Sequence, residues 1–453
     1  MRAIANILII IFILIKESVF FSLIGLLYSK KRDRAAYNIK LRNFGKALCN
    51  CLPKMGPAFV KLGQFISTRH DLVNHIICDE LEHLQDKAPT VSFSKVKKIL
   101  IQELSTTYDS IEIDQTPIAA ASIAQVHRGR IIINGIQQEV AIKILRPNIK
   151  KKFVENIDMM MSIASFINRF INSAKKLRLE EVVGVIAETA KSELDMRIEA
   201  AAADKLRYNC KGREGIYIPK VFWDYITRSV LVMEWIDGNK INNLDTDQSK
   251  DIARKLAYNF FHQAYVDGFF HADIHPGNIL VDKHNRIVLL DFGMFSYLPE
   301  NDRVFVAEII YAFIKKDYEK VSDLHFKAGY VPLEGSMYQR HMFALACRSI
   351  AGPIFGKSTA EISVSKLLRR LFEVASEFDM HTQPQLLLLQ KNLMLLEGVL
   401  NLLDPGINMW LLVEPWFTEW ATKNLNFISK LSRKYSQVVS NLEILEKKIR
   451  DNK

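Results

Sequence analysis

The sequence predicts an α+β fold of two lobes, a small β-rich lobe followed by a larger helical one, with a helical N-terminal extension and helical C-terminal additions. Three observations carry this. A polar-apolar helical pattern runs from Ala35 to about Leu104 and turns β-rich from Ser105 to Val126. Two strand-like runs, Ile131-Ile132-Ile133 and Val140-Ala141-Ile142-Lys143, flank Asn134-Gly135. That dipeptide supplies the positive φ of a type I′ hairpin turn. Past Asp302 the chain reads as helix, with turns at Pro353, Pro384 and Pro405-Gly406.

The elements follow in order. Residues 1–34 form a hydrophobic, membrane-associating segment. Ala3–Ile15 holds Asn6 as its one polar residue, Lys16-Glu17-Ser18 interrupts, and Val19–Leu27 is apolar apart from Ser22 and Gly25. A spanning helix needs about 20 apolar residues, and Lys16 and Glu17 are costly at mid-membrane. The segment is therefore expected to lie in the interface or to cross poorly, with Lys30-Lys31-Arg32 on an anionic, cytoplasm-like leaflet. No small-x-small cleavage site argues for a secretory signal. Residues 35–105 are the helical extension. Residues 106–235 are the small lobe, with a helical insertion between 147 and 185, and Pro147 closing the hairpin unit. Within it Tyr217-Ile218 and Val230–Met233 read as strands. Residues 236–453 are the large lobe.

Composition excludes several classes. With 453 residues, 49% hydrophobic and 25% charged, the chain is globular and long enough for a full core. Of its +11 net charge, seven sit in the first 46 residues, where nine Lys/Arg face Glu17 and Asp33 alone. No helix-turn-helix, zinc finger or basic-aromatic platform accompanies that surplus, so nucleic acid is not an expected partner. The five cysteines have neither zinc spacing nor a disulfide framework and read as reduced thiols.

The chemistry concentrates in His271-Ala272-Asp273-Ile274-His275-Pro276-Gly277-Asn278, followed thirteen residues later by Asp291-Phe292-Gly293. An Asp, an Asn five positions on and a second Asp after an apolar hairpin form the set with which a protein-kinase-like fold holds metal-bound phosphates. Asp273 accepts a proton or orients a nucleophile. Asn278 and Asp291 offer oxygen to a hard cation such as Mg²⁺. Lys143, at a strand end, is placed to contact nucleotide phosphates. Ala119-Ala120-Ala121-Ser122-Ile123-Ala124-Gln125-Val126 keeps the spacing of a G-x-G-x-x-G-x-V loop with every glycine replaced by alanine. Alanine stiffens such a loop and adds a methyl where it would cover the phosphates. In Glu193-Leu194-Asp195-Met196-Arg197-Ile198-Glu199, helical spacing puts Asp195 and Glu199 on one face and Glu193 nearly opposite. Glu199 is thus expected to pair with Lys143, with Asp195 lining the same cavity. Met233, Glu234 and Ile236 sit in a strand-to-hinge segment suited to adenine. The short run from Gly293 to Leu298-Pro299-Glu300 leaves no long activation segment for a peptide, which argues against protein-kinase activity.

These residues together resemble the UbiB family of atypical, kinase-like proteins linked to ubiquinone biosynthesis. The resemblance runs from about Ala35 to Pro405. Its most specific element is Phe59-Val60-Lys61-Leu62-Gly63-Gln64, the family's K-x-G-Q motif, followed by Ser67-Thr68-Arg69-His70-Asp71-Leu72. The distal Glu397-Gly398 and Leu403-Asp404-Pro405 match as well. Asp273-Ile274-His275 stands where Asp-Pro-His is common, and the tail after Trp416 reads as a mixed basic helix rather than the hydrophobic anchor of some bacterial members. The resemblance implies that Lys61 contacts Glu193 or Asp195, that Lys61 and Gln64 act at the site, and that their helix occludes protein substrates.

The expected function is an atypical kinase or ATPase supporting ubiquinone biosynthesis at a membrane, with ATP or ADP and Mg²⁺ as cofactors. Its acceptor would be a small molecule or lipid-linked precursor, or hydrolysis would drive a biosynthetic complex. Expected partners are membrane lipid, other ubiquinone-biosynthesis proteins and a quinone precursor, on the cytoplasm-like face of a bacterial inner membrane. The alternative is a nucleotide-binding pseudokinase scaffold. A 2-polyprenylphenol hydroxylase, the older pathway label, needs flavin, haem or iron, and no dinucleotide fingerprint or two-His-one-carboxylate spacing supports it.

Overall fold

The computed structural model describes residues 34–67, 73–81, 84, 89–170, 179–328, 337–355, 374, 378, 384–409, 412, 414–416 and 418–420. The apolar segment expected to meet a membrane lies outside these residues except for Arg34, as do Thr68–Leu72 of the resemblance. No helix among the described residues is long and apolar enough to cross a membrane.

The chain forms two compact units, Met1–Asn239 with Asn278–Phe295, and Lys240–Gly277 with Ser296–Lys453. Sequence placed the lobe boundary at 235/236. Asn278–Phe295 instead joins the first unit, because its two strands pair with each other and with a strand near residue 216.

The first unit opens with helices α1 (Arg34–Met55), α2 (Pro57–Ser67), α3 (His75–Leu81) and α4 (Phe93–Leu104). Strands β1 (Ile111–Ile113), β2 (Ala119–Ala120), β3 (Ala124–Ile133), β4 (Ile136–Leu145) and β6 (Val230–Glu234) form one antiparallel sheet, ordered β1-β3-β4-β6 with β2 on β3. The β3–β4 turn is type I′ by its dihedrals: Asn134 has φ 51° and Gly135 φ 78°. Register follows from that turn, and it sets Lys143 opposite Val126 on one side and Leu231 on the other. Helices α5 (Ile149–Phe170) and α6 (Leu179–Glu193) make the insertion, and α7 (Met196–Asn209) follows. A second sheet contains β5 (Ile216–Tyr217), β7 (Gly238–Lys240), β8 (Ile279–Asp282) and β9 (Ile287–Leu289), in the order β5-β9-β8-β7.

Two apolar cores hold this unit. Leu41, Leu52, Phe59, Ile77 and Leu81 pack with Phe153, Met160 and Val183, so the insertion helices cover α1–α3. Val96, Leu100 and Leu104 of α4 lie against Ile131, Val140, Ile142, Ile144 and Val232 of the sheet. Each fully buried aliphatic side chain contributes about 1.5–3 kcal/mol.

The second unit is mostly helical: α8 (Thr246–His262), α9 (Glu300–Ile314), α10 (Tyr318–Lys327), α11 (Met337–Phe355) and α12 (Pro384–Leu403). Asp245 caps α8 by accepting from Gln248 N at 2.8 Å. Pro353 lies inside α11 rather than at a turn, while Pro384 begins α12, where its missing N–H costs nothing.

His325 gives this unit a pH signature. Its ring packs 5.0 Å from Phe343 and 5.6 Å from Phe305, and its Nδ1 meets the Val321 carbonyl at 2.7 Å. Burial lowers its pKa to about 4. The native state therefore keeps it neutral, while the unfolded chain protonates near 6.5. Stability is full above pH 6.5 and is lost as pH falls from 6.5 to about 4, by on the order of 2–3 kcal/mol. His325→Phe is expected to flatten the loss of urea stability between pH 7 and 4.5. An unchanged slope would show that other groups set it.

Candidate functional site

The site grows from one strand and one helix of the first unit. Lys143 emerges near the end of β4, and its Nζ donates to Glu199 Oε1 at 2.6 Å and to Asp291 Oδ1 at 3.1 Å. Glu199 is in the first turn of α7, where the helix dipole favours a carboxylate. It also accepts from Phe292 N at 3.4 Å. Asp291 accepts from Gly293 N at 2.9 Å, and its side chain is 47% exposed against 4% for Glu199. Burial opposes charge on Lys143, but Asp291 and Glu199 outweigh it and hold the ammonium well above its ordinary pKa. Burial pushes Glu199 up to about 7, against the pull of Lys143. One cation thus lies between two carboxylates, of which Asp291 is the one open to solvent.

Asn278 closes a short 3₁₀ turn, and its carbonyl accepts from Leu290 N at 3.1 Å. This backbone bond sets Asn278 across from the residue preceding Asp291. An amide and a half-exposed carboxylate are oxygen donors of the kind Mg²⁺ would take, using one or two protein oxygens and filling its octahedron with water and phosphate.

The helix expected through Glu193–Glu199 is broken. α6 ends at Glu193, Leu194 turns, and Asp195 leaves helical geometry with φ −129° and ψ 99° to cap α7. Asp195 accepts from Arg197 N at 3.1 Å and pairs with the Arg197 guanidinium at 2.6 Å. The guanidinium holds its carboxyl below the usual range. Asp195 is thus spent on a cap and a local ion pair, not on the face shared with Glu199. The break frees Glu193 to turn toward α2, where Lys61 Nζ lies 2.8 Å from its Oε2. Both side chains are largely buried, at 16% and 6% exposure. Gln64 is one turn on, and its carbonyl accepts from Ser67 Oγ at 2.8 Å.

The alanine-rich segment forms a tight hairpin. Ala119 and Ala120 pair with Val126 and Gln125, and Ala121 N donates to Ala124 O at 2.8 Å. Ser122 and Ile123 are its tip. None of these residues has positive φ, so the backbone path needs no glycine. Gln125 is buried and exchanges hydrogen bonds with the Val91 main chain, at 2.9 and 3.4 Å.

In the hinge segment Met233 is buried, opposite Ala141. Glu234 accepts from Tyr217 OH at 2.7 Å and Lys220 N at 3.0 Å, so its side chain is engaged within the protein. Ile236 is half-buried.

Asp273 belongs to the second unit. Lys391 Nζ approaches its Oδ1 at 3.8 Å, and Asn392 Oδ1 accepts from Ile274 N at 3.4 Å. Sequence reasoning missed both α12 residues. Their signal is Gln390-Lys391-Asn392, a polar triplet between the apolar runs Leu386–Leu389 and Leu393–Leu396. It also missed Arg146, whose Nε donates to the Ala121 carbonyl at 2.8 Å.

Residues 83–325 match the model of the ABC1 atypical kinase-like domain, and residues 347–408 match that of the UbiB helical domain. The chain belongs to the UbiB family of atypical kinase-like proteins. Among its UbiB relatives, the "Probable protein kinase UbiB" of Marinobacter nauticus is 36% identical over 392 residues, 84% of this chain and 71% of the relative. That of Pseudomonas aeruginosa is 36% identical over 418 residues, 90% of this chain and 77% of the relative. Among solved structures, Rv3197 of Mycobacterium tuberculosis, determined in complex with erythromycin, aligns over 80% of this chain and 93% of its own. Its TM-score is 0.51 at 23% identity, a likeness of fold alone.

Proposed function

We propose that this UbiB-family chain is an ATP-dependent atypical kinase or ATPase that supports ubiquinone biosynthesis at a membrane. Its substrate is a small molecule or lipid-linked precursor, or its hydrolysis drives a biosynthetic complex. The observation that carries this reading is the Lys143–Glu199–Asp291 set, with bonds of 2.6 and 3.1 Å. A bound Mg-nucleotide supplies the transferable phosphoryl group. Lys143 is ready to donate to phosphate oxygens without a change of charge, and Glu199 orients it. Asn278 and Asp291 hold the metal. Asp273 accepts the proton of the attacking hydroxyl or water, a role resting on its place in the sequence motif. α9 starts at Glu300, a few residues past Gly293. So short a segment offers little docking surface for a peptide, which favours a small acceptor.

The second reading, a nucleotide-binding scaffold without turnover, is favoured by the buried Lys61–Glu193 pair that fastens α2 beside the site's helices. Phosphate release from Mg-ATP separates the two. Turnover supports the first, binding without turnover the second, and absence of nucleotide binding removes both.

A further inference from the structure

A second cation, Arg146, stands just past the end of β4, three residues beyond Lys143. Arg146 N donates to Ile123 O at 2.9 Å, and its Nε donates to Ala121 O at 2.8 Å. Both carbonyls belong to the tip of the alanine-rich hairpin, and both are taken by one residue. One bond is main-chain and survives any substitution short of proline. The other depends on the guanidinium, whose fixed planar donors make a directional, charge-assisted bond.

The same tip holds a hydroxyl that the chain does not use. Among the described residues the Ser122 hydroxyl is buried without a hydrogen-bond partner. A buried hydroxyl left unmatched costs about 1–3 kcal/mol. The tip therefore turns its acceptors to Arg146 and keeps a donor in reserve. A hydroxyl donor left over at the tip of a turn can be given to an anion. In a glycine-rich loop the backbone reaches such an arrangement through its own freedom. Here every glycine position holds alanine and no tip residue has positive φ, so the path suits alanine, and the Arg146 bond adds a hold from outside the hairpin.

We infer that Arg146 is a positioning residue: its guanidinium clamps the alanine-rich tip by the Ala121 carbonyl so that Ser122 faces nucleotide phosphate. This rests on the nucleotide-binding reading above. It also ties the loop to the strand that presents Lys143, so that the two phosphate contacts move as one body.

The experiment uses the full chain with Arg146→Met, which keeps the stem and removes the donors, and Arg146→Lys, which keeps a charge. Binding of Mg-ATP and of adenosine is measured by calorimetry. Arg146→Met is expected to weaken Mg-ATP about ten-fold and leave adenosine within two-fold, with Arg146→Lys in between. Equal losses for both ligands, or no loss for Mg-ATP, would overturn the clamp. A second readout needs no nucleotide: amide hydrogen exchange at Ala121 and Ala124 is expected to quicken about ten-fold in Arg146→Met. Unchanged exchange would also overturn it. If the wild type bound no nucleotide but exchange quickened, the clamp would hold the loop while the phosphate role, with the nucleotide reading beneath it, would fall.

Discussion

Asp291→Asn is expected to abolish Mg-nucleotide binding and leave the fold intact. The substitution keeps the side chain's shape. Its carboxylate is 47% exposed, so little buried structure depends on its charge. Lys143 keeps its 2.6 Å bond to Glu199, and a neutral amide at 291 still accepts from Gly293 N. The metal loses more. A hard divalent cation takes charge neutralisation from carboxylate that an amide cannot give, and with Asn278 as the other protein oxygen, affinity is expected to fall on the order of a hundred-fold or more. Calorimetric titration beside a thermal melt checks both halves. Unchanged affinity would remove the kinase-like reading of the site, and a collapsed melt would show Asp291 to be a structural residue.

Lys61→Met is expected to cost about 3–5 kcal/mol of stability, because it removes one partner of a largely buried ion pair. Glu193 is 6% exposed and Lys61 16%, with 2.8 Å between their charged atoms. Replacing both residues by Met is expected to recover most of that loss, since a packed apolar pair avoids the desolvation of two ions. Urea unfolding of the two single variants and the double variant gives the coupling energy directly. A single-variant loss under about 1 kcal/mol would mean that water reaches Glu193 and that α2 is held by its apolar face alone. The experiment also has a functional reading. If the pair keeps α2 over the site, its removal relaxes exclusion of larger acceptors even in the double variant, where stability returns.

Much of this molecule is legible because its decisive residues sit in local patterns. The Asn134-Gly135 hairpin fixes register, and register alone sets Lys143 opposite Val126. Asp291 and Asn278 flank a hairpin whose apolar runs are plain. What escaped is non-local or interrupts a pattern. The helix through Glu193–Glu199 reads as continuous by spacing, because neither Pro nor Gly marks the break at Leu194. The usable signal was Asp195 itself, a good N-cap residue ahead of an acidic first turn. Asn392 lies 118 residues from the Ile274 N–H it accepts from, and no periodicity links such positions. The unit boundary moved because β9 pairs with β5, a strand of two residues that is too short to show a period. Arg146 went unread because an arginine at a strand end looks like a solvated charge until its Ala121 partner is seen.

The most direct test of the central claim is phosphate release from Mg-ATP by the purified full chain. It is run with anionic vesicles and a quinone-precursor phenol present or absent, beside the Asp291→Asn variant. Turnover that rises with vesicles or phenol and vanishes in the variant is the predicted result. Nucleotide binding without phosphate release under every condition, from protein that melts cooperatively, would contradict an enzymatic role and leave the scaffold reading in its place.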